Sequence, residues 1–176
     1  MSRVLIGSLE LMEDEVDRLI EAWRRERPDL DVAPMEVLSR VSRLARHLDR
    51  ARSQAFDTHG LESWEFDVLA ALRRAGTPYQ LSPGKLLKET LVTSGTMTNR
   101  VDRLAARGLV ERLPDPHDRR GVLVQLTPDG RDRVDAAMAD LLTHERALLG
   151  GLSDGDQAKI ARALRELVRP FDLEKH

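Results

Sequence analysis

The chain has 176 residues, 41% of them hydrophobic and 33% charged, with six aromatic side chains and no cysteine. This composition argues against disorder and leaves Leu, Val and Ala to fill a core; the missing cysteine excludes disulfides, thiolate catalysis, Cys-ligated zinc and thiol redox sensing. The net charge of −2 hides a gradient, because Lys85 to Arg133 holds ten basic and seven acidic residues while the remainder holds 18 and 23, and a local positive segment is the footprint that binding to a polyanion needs.

Met1 to Gly7 is too short an apolar run for a secretory signal, and no stretch reaches the roughly 20 apolar residues of a membrane span. The expectation is a soluble, cytoplasmic protein with no membrane partner. Leu9, Met12, Val16, Leu19, Ile20 and Trp23 recur at helical spacing and predict an amphipathic helix over 9–27, broken at Arg27-Pro28. Pro34 suits a first helical position and opens a long helix with Val37, Val41, Leu44, Leu48, Ala51 and Ala55 inward, ending near His59-Gly60. Ser63 is placed to cap a third helix to about Ala75, with Trp64, Val68 and Leu72 inward; Gly76-Thr77-Pro78 ends it.

Ser82-Pro83 starts a short helix that gives way between Leu91 and Thr93. The next helix runs from Ser94 to Arg107 and stops at Gly108, a C-terminal cap. Leu109 to Leu113 reads as a strand and Val122 to Leu126 as another, joined by a polar hairpin tip from Pro114 to Gly121. Thr127-Pro128 sets a capping hydroxyl before a first-turn proline and opens a helix carrying Val134, Met138, Leu141, Leu142 and Leu148. Ser153 with Asp156 has the spacing of a capping box for a last helix with Ile160, Leu164, Leu167 and Val168. The fold class is therefore mainly α with a small β wing: a winged helix-turn-helix whose long terminal helices form a dimerisation region. Residues 1–60 supply the N-terminal helices, 61–127 the winged helix-turn-helix lobe, and 128–176 the C-terminal helices.

On a helical wheel of 94–107, Met97, Val101 and Leu104 fall within about 60° and form the buried face. Thr96, Asn99 and Arg103 lie opposite, with Arg107 close by, and such hydroxyl, amide and guanidinium groups pair with base edges and phosphates in a major groove. Arg119 and Arg120 at the hairpin tip suit a minor groove or a phosphate clamp, with Asp118 paired to one of them to hold the tip in shape. The alternative for each feature is an ordinary solvated face or a surface ion pair.

The runs from Thr93 to Leu104, Gly108 to Arg112 and Asp115 to Gly130 resemble the MarR family (multiple antibiotic resistance regulators), and the resemblance covers roughly residues 35–170. It implies homodimers on a palindromic operator in double-stranded DNA, repression of transcription, and release by a ligand. By position it implies that Ser94, Thr96, Thr98, Asn99 and Arg103 face DNA, with Arg119 or Arg120 as the wing arginine. Independently, the apolar stripes at 9–23 and 134–168 exceed what a compact winged helix covers, which a two-fold partner would bury; the alternative is packing against the helix at 34–59.

The extra N-terminal helix is similar to the urate-responsive branch of the family, whose four signature positions fall here on Trp23, Asp67, Arg100 and Arg112. Arg100 lies at the border of the buried stripe on the wheel, so its guanidinium suits a pocket rather than DNA. With Arg112 it would grip a flat anion, Trp23 would supply a wall and Asp67 a counter-charge, and an anion would disturb an Arg100–Asp67 balance. The ligand is a small anion such as urate, or a tricarboxylate of the aconitate or citrate type. The alternatives are core packing for Trp23, a first-turn helix preference for Asp67, a phosphate contact for Arg100 and a neighbouring acid for Arg112. No enzyme is expected, and no catalytic residue, cofactor or metal: His47, His59, His117, His144 and His176 are scattered, and there is no phosphate-cradling glycine loop. The rival class is a winged-helix protein–protein interaction adaptor.

Overall fold

The computed structural model describes residues 13–90 and 93–173. Leu9 and Met12 of the first predicted helix, and Leu91 at the end of the short one, lie outside the described residues. The chain separates into two compact units, one up to Arg50 and one from Ala51.

In the first unit α1 (Glu15–Glu26) is opened by Asp14, whose carboxylate accepts from the main-chain N–H of Val16 at 2.7 Å and of Asp17 at 3.0 Å. Asp17 returns the bond to the Asp14 N–H at 2.8 Å, which completes a capping box. Val16, Ile20 and Val32 are buried with Met35 packed on them. The first turns of α2 (Pro34–Asp57) are tied to α1 by Arg40, which reaches Asp17 at 2.6 Å and Asp14 at 2.9 Å while also holding Glu36 at 2.8 Å. Burial opposes the Asp14 charge, but the Asp17 N–H and the Arg40 guanidinium outweigh it and hold the carboxyl below its usual range.

The second unit contains the main core. The end of α2 places Ala55 and Phe56 against α3 (Ser63–Arg74), and Phe56 stacks on Phe66 with ring centroids 4.0 Å apart. Leu69 and Leu72 of α3, Leu86 of α4 (Pro83–Thr90), and Met97, Val101 and Leu104 of α5 (Ser94–Ala106) are all buried in the same cluster. A three-stranded antiparallel sheet lies beside these helices in the order β1-β3-β2, formed by β1 (Gln80–Leu81), β2 (Val110–Asp115) and β3 (Asp118–Leu126). Val110 pairs with Leu126 and Pro114 with Val122 across β2 and β3, and Leu81 pairs with Val124 on the other side. Two helices complete the unit, α6 (Pro128–Leu149) and α7 (Asp154–Leu173).

Local chemistry fixes the joints around α5. Gly108 adopts φ +70° and ends α5: its N–H donates to the Ala105 carbonyl at 2.9 Å, and the Leu109 N–H donates to the Leu104 carbonyl at 3.0 Å. This is the paired hydrogen-bond motif that a left-handed glycine makes possible. At α6, Thr127 Oγ1 accepts from the Gly130 N–H at 3.1 Å and donates to the Gly108 carbonyl at 2.8 Å. A Cβ on Gly130 would stand 2.1 Å from the Leu109 carbonyl oxygen, so only glycine lets α6 start this close to the wing.

Four expectations change. The residue preceding α3 as its N-cap is Glu62, and Ser63 is the first helical residue, because a Glu62–Glu65 pair occupies this turn instead of a hydroxyl. Tyr79–Leu81 was unassigned in the sequence and adds β1, a strand only two residues long. The hairpin is tighter than the loop from Pro114 to Gly121, since β2 runs to Asp115 and β3 begins at Asp118. Val37, Val41 and Leu44 of α2 are exposed in place of inward, as nothing else described in the first unit covers that stripe.

Candidate nucleic-acid interface

The buried row of α5 leaves Ser94, Thr96, Thr98, Asn99 and Arg103 exposed, as the helical wheel requires. Thr93 and Thr96 hydroxyls meet at 2.9 Å, and the Thr98 hydroxyl donates back to the Ser94 carbonyl at 3.2 Å. Asn99 makes no side-chain hydrogen bond among the described residues, so its amide donor and acceptor are both open to a base edge.

The far half of α5 is fastened to the start of α3. Arg103 Nη2 donates to Glu62 Oε1 at 2.6 Å, and its guanidinium carbon lies 4.7 Å from the centre of the Trp64 ring. The Trp64 indole N–H donates to the other Glu62 oxygen at 2.8 Å. Those contacts, the indole first and then Arg103, hold the Glu62 carboxyl below its usual range against the opposing effect of burial. One turn further on, Arg107 pairs with Glu65 and donates to the Gly60 carbonyl at 2.6 Å. Glu65 is fully buried; it also accepts from the Glu62 N–H at 2.9 Å, and its Oε1 has no partner among the described residues. Two acids three residues apart at the start of α3, the N-cap Glu62 and Glu65, thus receive two arginines four residues apart at the end of α5, Arg103 and the C-cap Arg107. The sequence shows both spacings, but not that the two helix ends adjoin, so Glu62, Glu65 and the second role of Trp64, which packs on the core as expected while its half-buried ring carries Arg103, were missed.

The wing tip is held by short polar bonds. Asp118 accepts from the Arg120 main-chain N–H at 2.9 Å, and Asp115 accepts from the His117 N–H at 2.9 Å. Asp118 thus bonds the backbone of Arg120, while the Arg119 side chain, the other candidate for pairing with it, lies outside the described residues. A Cβ on Gly121 would meet those of Asp115 and Asp118 at 2.8 and 3.0 Å, so the two aspartates close over a glycine. Arg119 and Arg120 stand on the first residues of β3, next to the tip, and Arg120 is exposed.

Of the anion-signature positions, Asp67, Arg100 and Arg112 each meet a different neighbour. Trp23 belongs to the first unit and is partly exposed on α1. Asp67 faces Arg52 at 3.8 Å, while Arg100 is half-buried with its guanidinium 5.4 Å from the Trp64 ring centre. Arg112 of β2 pairs with Asp102 of α5 at 2.7 Å. No Arg100–Asp67 ion pair forms: Asp67 faces Arg52, and Arg100 lies over the Trp64 ring. Among the described residues no group of His, Asp and Glu could hold a metal ion, and no helix is long and apolar enough to cross a membrane.

An exposed helix with open polar groups, set on a three-helix core and followed by a two-stranded hairpin carrying arginines, defines a winged helix-turn-helix DNA-binding protein. Known proteins similar to this chain are of that class. The MarR family model matches residues 59–121. The transcriptional regulator PecS of Dickeya dadantii is 39% identical over 162 residues, which is 92% of this chain and 94% of PecS. A mutant MarR of E. coli in complex with operator DNA has a TM-score of 0.63 and 28% identity, covering 79% of this chain and 99% of that one. BpsR of Bordetella bronchiseptica, whose DNA binding is regulated by 6-hydroxynicotinic acid, has a TM-score of 0.56 and 32% identity over 72% of this chain and 91% of its own. The chain belongs to the MarR family of transcriptional regulators.

Proposed function

We propose that this regulator is a repressor that binds a palindromic operator as a homodimer and is released by a small anion. The observation that carries the reading is the exposed row Ser94, Thr96, Thr98, Asn99 and Arg103 on α5, followed by a hairpin with Arg119 and Arg120. The helix suits a major groove and the wing an adjacent backbone or minor groove, so each subunit would engage two grooves. The operator complex of the related MarR supports the same use of the fold. Residues 61–127 form the DNA-binding lobe in this scheme, with the helices of 1–60 and 128–176 on the dimer interface.

Dimerisation is supported by apolar surface that the chain does not cover. Ile160, Leu164, Leu167, Val168 and Phe171 make one stripe on α7, and all are exposed. Met138, Leu142 and Leu148 on α6 are exposed too, and stripes of this size on a soluble protein mark an interface.

For the ligand, the reading is that Arg100 and Arg112 are the cationic grip and Asp67 the counter-charge, once an anion draws them from their present neighbours, with urate or an aconitate- or citrate-type tricarboxylate as the anion. The control of BpsR by a hydroxylated aromatic acid is consistent with a small planar anion as input. Fluorescence anisotropy on a palindromic duplex tests both halves. Binding is expected to weaken steeply with salt, and urate or trans-aconitate is expected to reverse it in the parent but not in Arg100→Ala. Reversal by neither anion would remove the ligand reading. DNA binding unaffected by Arg103→Ala with Arg120→Ala would favour an interaction adaptor.

A further inference from the structure

Arg103 is already engaged by its own protein before any DNA arrives. Its Nη2 is 2.6 Å from Glu62 Oε1, and the Trp64 ring under its guanidinium donates at 2.8 Å to the same carboxylate. One carboxylate therefore anchors both the guanidinium and the indole on which it stacks. Glu62 and Arg103 are more than half exposed, and a surface ion pair of this kind adds little to fold stability. Its effect is to remove rotamer freedom from a long side chain on the DNA-facing helix.

The pairing also changes what Arg103 offers. A guanidinium carries five N–H donors in a fixed plane, and among the described residues only one of them is used. The remaining donors keep the planar fork that reads guanine O6 and N7. The net charge that drives phosphate binding through counterion release is instead largely cancelled by Glu62. Arg100 is the internal contrast. It shares the Trp64 ring at 5.4 Å but has no carboxylate partner among the described residues, so it keeps its full charge.

Resting on the DNA-binding reading above, we infer that Glu62 and Trp64 are specificity-determining positioning residues that hold Arg103 to read a guanine edge and not to neutralise a phosphate. Glu62 fixes one edge of the fork, Trp64 fixes its plane, and the free edge meets the base.

The test is selection of duplexes from a randomised DNA library by the full-length protein, followed by anisotropy on the selected duplex and on an unrelated one across a salt series. Arg103→Ala is expected to lose roughly tenfold discrimination at one G·C position per half-site. Glu62→Gln should relax the same position, while tightening binding to the unrelated duplex and steepening its salt dependence by about one counterion. Glu62→Asp keeps the charge but shortens the reach, so it should relax that position without the change in salt slope. Retained base preference in Glu62→Gln would overturn the inference, as would an Arg103→Ala protein weakened equally on every sequence. A parent protein that selects no sequence would overturn the DNA-binding reading and this inference together. Thermal unfolding of each variant separates these outcomes from misfolding.

Discussion

Glu65 is the one charged side chain fully buried among the described residues, and its surroundings decide what it contributes. Its carboxylate serves the Glu62 N–H and Arg107 at once, joining the α3 start to the α5 end. Water reaches Arg107, whose side chain is 37% exposed, so the cost of removing its partner falls below that of a wholly buried pair. Glu65→Ala should lose about 2–3 kcal/mol and Glu65→Gln about 1 kcal/mol, read as a lower urea midpoint at unchanged slope. Full stability in Glu65→Ala would mean that packing alone sets this joint. The neighbouring Glu62 has its folded value depressed, so its contribution is complete above the ordinary glutamate value of 4.5 and is lost as pH falls through the lower, folded one. In a Trp23→Phe background, Trp64 emission should therefore stay level from about pH 8 to about pH 5. A transition inside that window would show that Glu62 is not the group holding the indole.

At the scale of elements, what the sequence revealed and what it hid divide by range. The period of α5, the glycine stop at Gly108 and the Thr127-Pro128 start of α6 are written within a few residues, and each is found where the local pattern places it. Gly130 was unremarkable in the sequence, since its need arises from the Leu109 carbonyl brought against it by the fold. The two-residue β1 is too short to carry a periodicity, and the Glu62–Arg103 pair spans 41 residues with no local mark. The arginines of the wing were legible as a basic run, but the tip was drawn too wide because Asp115, Asp118 and Gly121 close it by close packing and main-chain bonds. That closure gives the wing a defined shape. Gly121→Ala should prise the two aspartates apart and weaken DNA binding by on the order of tenfold, while helical circular dichroism stays at the parent level. Parent affinity in that variant would detach the wing from the interface.

For the whole molecule, the question is what covers the terminal helices. No residue of α7 from Asp154 to Asp172 is buried, yet Ile160, Leu164, Leu167, Val168 and Phe171 recur on one stripe at the spacing of a packed helix. In the first unit Val37, Leu38, Val41 and Leu44 of α2 are likewise uncovered. A stable monomer would leave this surface in water, at a cost that scales with the apolar area exposed. A two-fold partner would remove it and, on the proposed function, would at the same time supply a second α5 for the other half of a palindrome. Because Leu164 and Leu167 take no part in the buried core of the DNA-binding lobe, charging them tests assembly without dismantling that lobe. The Leu164→Glu, Leu167→Glu double variant is expected to sediment as a folded monomer while the parent sediments as a dimer. Losing the second half-site makes each contact bimolecular, so affinity for a palindromic duplex should drop by at least about a hundredfold, and binding to a single half-site should change little. A parent chain that is monomeric at micromolar concentration, or a monomeric variant that keeps parent affinity for the palindrome, would show that the two halves of the operator are not read by one assembled pair.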